Sequence, residues 1–309
     1  MKERIKRYWK KLLNILKKPE MRILPSTIAF HIILATIPLL TIVVLIASFF
    51  GISIDLVSKL VSNIMPTQVS DIIINVISGK GFDQSVGIFN IVAFFLASNG
   101  TYAIINTSNT LYKIKNRSAI KARLSSVALL LIIILLFLFL LLVPIFGGSI
   151  IKLMGRAEIL SNVEDETLII YNIMKWPLSI LIIYFNIRLI YAVAPSKNIK
   201  PEETTYGALF TTICWILLTI IFRFYLGHFA RYDILYGNLS SIIIMMVWMY
   251  FLSYIFVFGM AINVSRKEEE DQIEEQMKEE EERIEKETQN KENNNKKEEK
   301  KKEKESNKN

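Results

Sequence analysis

The residues of this chain that could support chemistry are polar side chains inside long apolar runs. In the stretch "FFLASNGTYAIINTSNTLY", Ser98, Asn99 and Gly100 lie together near the middle of a run that is otherwise hydrophobic. Polar groups are costly at the centre of a lipid bilayer, so they are candidates for a function by default. Two interpretations are open. These residues could hold neighbouring helices together through hydrogen bonds, or the helix could be unwound at Gly100 and line a polar cavity, as in transporters.

Four charged residues extend this set of candidates for a substrate pathway. Arg188 is about two turns from one end of an apolar run, where it either reaches the lipid head groups or serves a function. Arg223 lies near the end of another run, at the expected depth of the outer interface. Arg231 and Asp233 follow in "GHFARYDILYGNLSS", a turn between the last two runs, where the two charges are close enough to pair.

The composition argues against several kinds of catalytic site. The chain has 1 Cys and 2 His, so an intrachain disulfide is excluded and a zinc, haem or thiolate metal site is not expected. Hydrolysis of RNA would need a bound metal or acid–base groups such as histidines, but Glu202 and Glu203 have no histidine nearby in the sequence. We therefore expect no catalytic residues, no cofactor and no metal, and we predict that the protein is not an enzyme.

Long apolar runs must position the candidate residues. Hydrophobic residues make up 52% of the chain, although the segment after residue 265 is almost entirely polar. A helix of about 20 apolar residues is long enough to cross the hydrocarbon layer of a membrane. The sequence therefore predicts an all-α, polytopic membrane bundle with six transmembrane helices. Their approximate ranges are 26–50, 86–106, 124–146, 171–194, 204–226 and 238–262.

Other segments flank or interrupt this six-helix domain, which we place at residues 26–264. Residues 1–25 predict a basic amphipathic helix on the cytoplasmic face, with Pro19 ending its pattern. Two short amphipathic helices are predicted in the first outer loop, around 57–64 and 69–77. Residues 265–309 form a charged cytoplasmic tail. Its Glu–Lys and Glu–Arg pairs predict a helix to about residue 290, with disorder beyond it.

The distribution of charge predicts how the spans are oriented. Lys and Arg are concentrated in residues 1–25, 113–123 and 197–200, whereas the alternate loops carry few. Positively charged loops stay in the cytoplasm, so both termini are predicted to be cytoplasmic. Residues 266–309 carry 13 basic and 17 acidic residues, a net charge of −4. Because the whole chain has a net charge of +8, the rest of the chain has a net charge of +12. This balance predicts contact with anionic lipid head groups rather than with nucleic acid.

Several separate stretches resemble one family of bacterial inner-membrane proteins. These stretches are similar to motifs of the YihY/BrkB family, which was formerly mislabelled ribonuclease BN. They are "STIAFHIILATIPLL", "NTLYKIKNR", "YAVAPSKNIKPEETTYGALFTTICW" and "FYLGHFARYDILYGNLSSIIIMMVWMYFLSYIFVFGMAIN". The resemblance covers about residues 20–264 and departs at His31, where the family usually has tyrosine. The positions that carry it include Pro38, Pro195, Gly207, Trp215, Tyr225, Tyr236, Gly237, Trp248, Gly259 and Asn263.

The resemblance implies a six-span protein of the bacterial plasma membrane, of a kind usually described as a transporter and sometimes linked to envelope lipids. Together with the polar second span, it leads to the hypothesis of a transporter or translocator. The substrate would be an amphipathic or anionic, lipid-like envelope molecule that passes through a polar cavity in the membrane. Two alternatives stay open: a scaffold that recruits partners through its charged tail, and a ribonuclease. A homo-oligomer is compatible with the sequence.

Overall fold

The computed structural model describes residues 12–49, scattered positions between 55 and 74, and residues 87–114, 118, 120–136, 164–228 and 236–306. Within these residues all regular secondary structure is helical, as predicted. The chain divides into two compact units, Met1–Asn263 and Val264–Asn309.

Six long helices follow one another along the described chain, in the order of the predicted spans. We number them α1 (Glu20–Phe49), α2 (Gly87–Leu111), α3 (120–136), α4 (Glu164–Val193), α5 (Thr205–His228) and α6 (Ser240–Ser306). Short 3₁₀ turns, Pro201–Thr204 and Gly237–Leu239, precede α5 and α6. The described positions between 55 and 74 are also helical, in the region where two amphipathic helices are predicted.

The surface of α5 is typical of a helix that is embedded in a membrane rather than exposed to water. Its buried side includes small and polar residues such as Ala208 and Thr211, whereas Leu217 is 51% exposed and Ile221 is 62% exposed. A helix on a water-soluble protein has the opposite arrangement, with apolar residues facing inward. Among the described residues, Pro201–His228 and Ser240–Thr288 are long and apolar enough to span a membrane, and Pro177–Val193 is a shorter apolar helix. Six crossings and cytoplasmic termini remain predictions.

The helix α1 begins earlier than the predicted first span. Residues 12–17 are helical, the chain bends at Lys18 and Pro19, and α1 then starts at Glu20 rather than near residue 26. Proline interrupts the first helical segment because its ring lacks an N–H and restricts the preceding residue. Glu20 favours a new start because a negative charge is stabilised at a helix N-terminus.

The end of α2 has a sharp turn that directs the chain towards α3. Lys113 N–H donates to Thr110 O at 3.1 Å, and Ile114 N–H donates to Asn109 O at 2.9 Å. This pair of bonds is the Schellman motif, in which the residue after the helix takes a left-handed conformation. Lys113 has φ 54°, a value that usually belongs to glycine.

The turn from α5 to α6 is described only at its two ends. Arg231 and Asp233 fall in 229–235, outside the described residues, so their predicted pairing stays a prediction. Gly237 has φ +51° where the chain enters α6. Glycine adopts this left-handed conformation without the steric cost that a side chain would add.

In the second unit, the helix extends further than the sequence predicts. It continues to Ser306, past the asparagine run at 293–295, whereas the prediction ends it near residue 290 and has disorder beyond. Glu and Lys are strong helix formers even without tertiary contacts. Pairs one turn apart add to this, including Lys267–Asp271 at 3.2 Å and Glu282–Lys286 at 3.7 Å.

Candidate functional site

Gly100 lies where α2 packs closely against α1. A methyl group built on Gly100 would lie 3.2 Å from Ala35 Cβ and 3.6 Å from His31 O. The helix α2 is continuous from Gly87 to Leu111, so the interpretation of a helix unwound at Gly100 is wrong. The competing interpretation, a small residue that lets two helices approach, agrees with this contact.

Ser98 and Thr101 make the buried hydrogen bonds of this part of α2. The Ser98 hydroxyl donates to Phe95 O of its own helix at 2.8 Å. The Thr101 hydroxyl contacts Ser98 O at 2.9 Å and Ser126 O of α3 at 2.7 Å. Both side chains are buried. Thr101 therefore ties α2 to α3 by a hydrogen bond inside the protein.

Asn99 is held by an arginine from α3. Arg123 Nη1 donates to Asn99 Oδ1 at 2.7 Å, and Nη2 donates to Phe95 O at 3.3 Å. The guanidinium carbon lies 3.9 Å from the centre of the Phe95 ring and 5.9 Å from that of Tyr102. These distances are in the range of cation–π contacts. The sequence alone gave Arg123 a role only as a cytoplasmic charge, so this contact was missed.

The buried residues of α2 are a mixture of polar and apolar side chains. The polar ones are Ser98, Thr101, Thr107, Ser108 and Asn109, and the apolar ones are Ala97, Ala103, Ile104, Ile105 and Leu111. The Ser108 hydroxyl is buried and has no hydrogen-bond partner among the described residues. A buried polar atom of this kind calls for an explanation, such as a bound water or ligand group.

The connection between α4 and α5 is fixed to the helices around it. Asn109 Oδ1 accepts the N–H of Ser196 at 2.8 Å, which ties this connection to the end of α2. Arg188 Nε donates to Pro201 O at 3.0 Å, and the Thr204 hydroxyl donates to the same carbonyl at 2.8 Å. Arg188 thus braces the 3₁₀ turn before α5. Pro195, one of the family positions, is buried in this connection.

A buried tyrosine joins α4, α5 and α6. The Tyr191 hydroxyl donates to Phe256 O at 2.7 Å and lies 2.7 Å from Thr211 Oγ1. Because the single tyrosine proton goes to the carbonyl, the threonine hydroxyl is the donor in the second bond. Tyr191 is 1% exposed. Tyr191 and Thr211 were not among the predicted site residues.

Three of the family positions meet directly beside this tyrosine. Asn263 Oδ1 accepts the N–H of Gly207 at 2.7 Å. Gly207 is in the first turn of α5, where backbone N–H groups have no partner within the helix. A methyl group on Gly207 would overlap Gly259 O, and one on Gly259 would overlap Thr211 Oγ1. Both glycines are therefore required for the close approach of α5 to α6.

Other family positions lie outside this contact. Trp215 Nε1 donates to Leu252 O at 2.9 Å, a further bond between α5 and α6. Trp248 is buried, and its Nε1 has no hydrogen-bond partner among the described residues. Tyr225 and Tyr236 are exposed, as is the candidate residue Arg223. Pro38 lies within α1. In the described ranges, no group of three or more His, Cys, Asp or Glu could hold a metal ion.

Comparison with known proteins identifies related membrane proteins. The model of the family "Virulence factor BrkB" matches residues 16–285. The ribonuclease-like protein YfkH of Bacillus subtilis (strain 168) is 27% identical over 254 residues, which cover 80% of this chain and 91% of that protein. Two UPF0761 membrane proteins are each 25% identical to this chain. For the one from Vibrio parahaemolyticus, the match covers 87% of this chain and 84% of that protein. For the one from Haemophilus influenzae, it covers 87% of this chain and 96% of that protein. No solved structure matches.

Proposed function

The chain belongs to the virulence factor BrkB family, and from this premise we propose that it carries an anionic, amphipathic envelope molecule across the bacterial plasma membrane. The polar part of such a molecule would pass along the protein, while its apolar part stays in the lipid. The proposed role is transport, without catalysis.

The observation that supports this proposal is the number of buried polar groups on α2. Hydroxyl and amide groups between Ser98 and Asn109 are buried beside apolar residues such as Ile105, whereas Phe95 on the same helix is exposed. Hydroxyl and amide groups at membrane depth can replace water around a polar head group, which lowers the cost of moving it through the bilayer. Ser108, with its unpartnered hydroxyl, has a donor to offer.

Reconstitution of the purified full-length chain into liposomes tests this proposal. The assay follows fluorescently labelled phosphatidylglycerol as it moves between leaflets, measured by chemical quenching from outside. We expect faster movement than in protein-free liposomes. Ser108→Leu should slow it strongly, because it replaces the buried, unpartnered hydroxyl with a larger apolar side chain, whereas Thr110→Leu, at an exposed position on the same helix, should not.

Both variants need a melting curve, because a misfolded Ser108→Leu protein would also be inactive. Ser108→Ala, a replacement close to serine in size, provides a folded variant without the hydroxyl. If the wild-type protein moves neither phosphatidylglycerol nor other anionic lipids faster than empty liposomes do, the proposal is wrong.

A scaffold role is a second candidate, favoured by the second unit. Within Val264–Asn309, Ile273, Met277 and Ile284 are each 57% exposed on a helix that has a net excess of acidic over basic residues. Such a surface could bind a basic, amphipathic partner. Deletion of residues 266–309 separates the two candidates, because a transporter should keep its flux whereas a scaffold should lose its cellular phenotype.

We also propose that hydrolysis of RNA is not the activity of this chain, although one relative is named ribonuclease-like. Glu202 and Glu203 are in the first turn of a 3₁₀ helix. No histidine is near them in the sequence to take part in acid–base hydrolysis. RNase activity that survives stringent purification, and is lost in the double variant Glu202→Gln, Glu203→Gln, would overturn this.

A further inference from the structure

Arg123 carries a positive charge on the surface of α2 and α3 without a carboxylate partner among the residues that the structure describes. Its contacts are with neutral groups: Asn99 Oδ1 at 2.7 Å, Phe95 O at 3.3 Å and the face of the Phe95 ring at 3.9 Å. These contacts hold the guanidinium in one orientation. They do not neutralise its charge.

The guanidinium has hydrogen-bond capacity left over in this orientation. An arginine has five N–H donors, and the described residues accept from two of its nitrogens, Nη1 and Nη2. The planar arrangement of the donors suits two oxygens of a phosphate, which bind more strongly than neutral acceptors do. The side chain is half-buried, so part of it is accessible to a ligand.

The surroundings of Arg123 are apolar and exposed. Ile120 is 77% exposed and Leu124 is 72% exposed on α3, and Phe95 is 59% exposed on α2. In a membrane protein such side chains face lipid chains. A ligand of Arg123 therefore has an anionic group beside an apolar part, which is the structure of a membrane lipid rather than of a free anion.

We propose that Arg123, Asn99 and Phe95 form a binding site for the phosphate head group of an anionic lipid. Arg123 binds the phosphate. Asn99 and Phe95 are positioning residues, because one accepts a hydrogen bond from the guanidinium and the other stacks against it. The site deepens the proposed transport function, on which it rests, by giving the substrate class as anionic phospholipids and the entry point as the lipid-facing surface between α2 and α3.

Native mass spectrometry of the full-length protein tests the site without any transport assay. The detergent-solubilised protein is titrated with phosphatidylglycerol or with phosphatidylcholine of the same chains. We expect phosphatidylglycerol to bind more tightly, and Arg123→Gln to weaken it by about tenfold, the effect of losing a charged hydrogen bond. Arg283→Gln, the same change in the tail helix, is the matched control and should bind as the wild type does.

Two further variants separate geometry from charge. Arg123→Lys keeps the charge but lacks the planar donors, so its affinity for phosphatidylglycerol should be between the affinities of the wild type and of Arg123→Gln. Asn99→Leu should weaken phosphatidylglycerol binding with little effect on phosphatidylcholine, which a merely unfolded protein would not show. Equal binding of phosphatidylglycerol to the wild type and Arg123→Gln would overturn the site.

Free phosphate distinguishes a lipid site from a site for a soluble anion. Inorganic phosphate at millimolar concentration should not displace phosphatidylglycerol, and full displacement would overturn the assignment to lipid. The outcome is separate from that of the transport proposal. Arg123-dependent binding in a protein that moves no lipid would support the site and contradict transport. Lipid flux without Arg123-dependent binding would support transport and contradict the site.

Discussion

The side-chain oxygen of Asn263 accepts the backbone N–H of Gly207 at 2.7 Å, so a residue of α6 caps the first turn of α5. The residue before the 3₁₀ turn, Lys200, provides no side-chain cap of its own. Close approach at Gly259 brings the two helices near enough for this bond. The three residues, far apart in sequence, are thus one structural unit.

Asn263→Ala should destabilise the protein. It leaves the N–H of Gly207 buried without an acceptor, which costs about 1–3 kcal/mol. A lower melting temperature in detergent would report this loss. Asn106→Ala is the matched control, because Asn106 is exposed on α2 and its loss should change stability by less than about 0.5 kcal/mol. Equal melting temperatures for the two variants would show that the cap contributes nothing.

Gly259→Ala should be damaging, whereas Gly227→Ala should be harmless. A methyl group at residue 259 would overlap Thr211 Oγ1 and would lie 2.7 Å from the Tyr191 hydroxyl, but one at residue 227 meets nothing within 4 Å. Overpacking of this kind costs about 1–3 kcal/mol. The two melting temperatures, measured side by side, check this. A harmless Gly259→Ala would mean that α5 and α6 are further apart than described.

The hydrogen bond between Tyr191 and Thr211 should appear as a coupling between two mutations. Tyr191→Phe and Thr211→Val each remove one partner, so the second change should cost less once the first is made. Interhelical hydrogen bonds in membranes are worth about 0.6–2 kcal/mol. A double-mutant cycle on unfolding free energies measures the coupling. Strict additivity would contradict a direct bond.

The lipid-facing surface of α5 can be tested with a lysine. Leu217→Lys places a charge at an exposed position near the middle of α5, where the bilayer core makes it cost about 2.5–3.5 kcal/mol. Ile273→Lys, at a similarly exposed position in the tail, is the control and should be tolerated. Yield of membrane-inserted protein and melting temperature provide the readout. Similar behaviour of the two variants would place both positions in water.

The sequence was sufficient for the helical elements but not for their contacts. Apolar runs predicted where α4, α5 and α6 lie, because the length and composition of a run are local properties. Gly207, Gly259 and Asn263 were identified through resemblance, yet their meeting depends on how two helices are placed against each other. The sequence around a small residue does not indicate which residues of another helix it will contact.

Polar side chains were the hardest to interpret from sequence. Asn99 was singled out as a candidate for a substrate pathway, which stays a prediction. Its partner Arg123 was interpreted only as a loop charge, because nothing local indicates that an arginine folds back onto another helix. Tyr191 and Thr211 are single hydroxyl residues in apolar runs. They form no periodic pattern that would indicate which face of the helix is buried or which residue is the partner. The α2 helix was expected to be either packed or unwound at Gly100, and the structure distinguishes the two by the continuity of the helix and the close contact with α1.

Transport of anionic amphipathic molecules is tested most directly by comparing two lipids in the same proteoliposomes. The measurement is the transbilayer movement of labelled phosphatidylglycerol and of labelled phosphatidylcholine. We expect phosphatidylglycerol to move several-fold faster than phosphatidylcholine, and faster than in protein-free vesicles, with the difference lost in Arg123→Gln. Equal rates for the two lipids, or rates no higher than in empty vesicles, would contradict transport of anionic lipids by this protein.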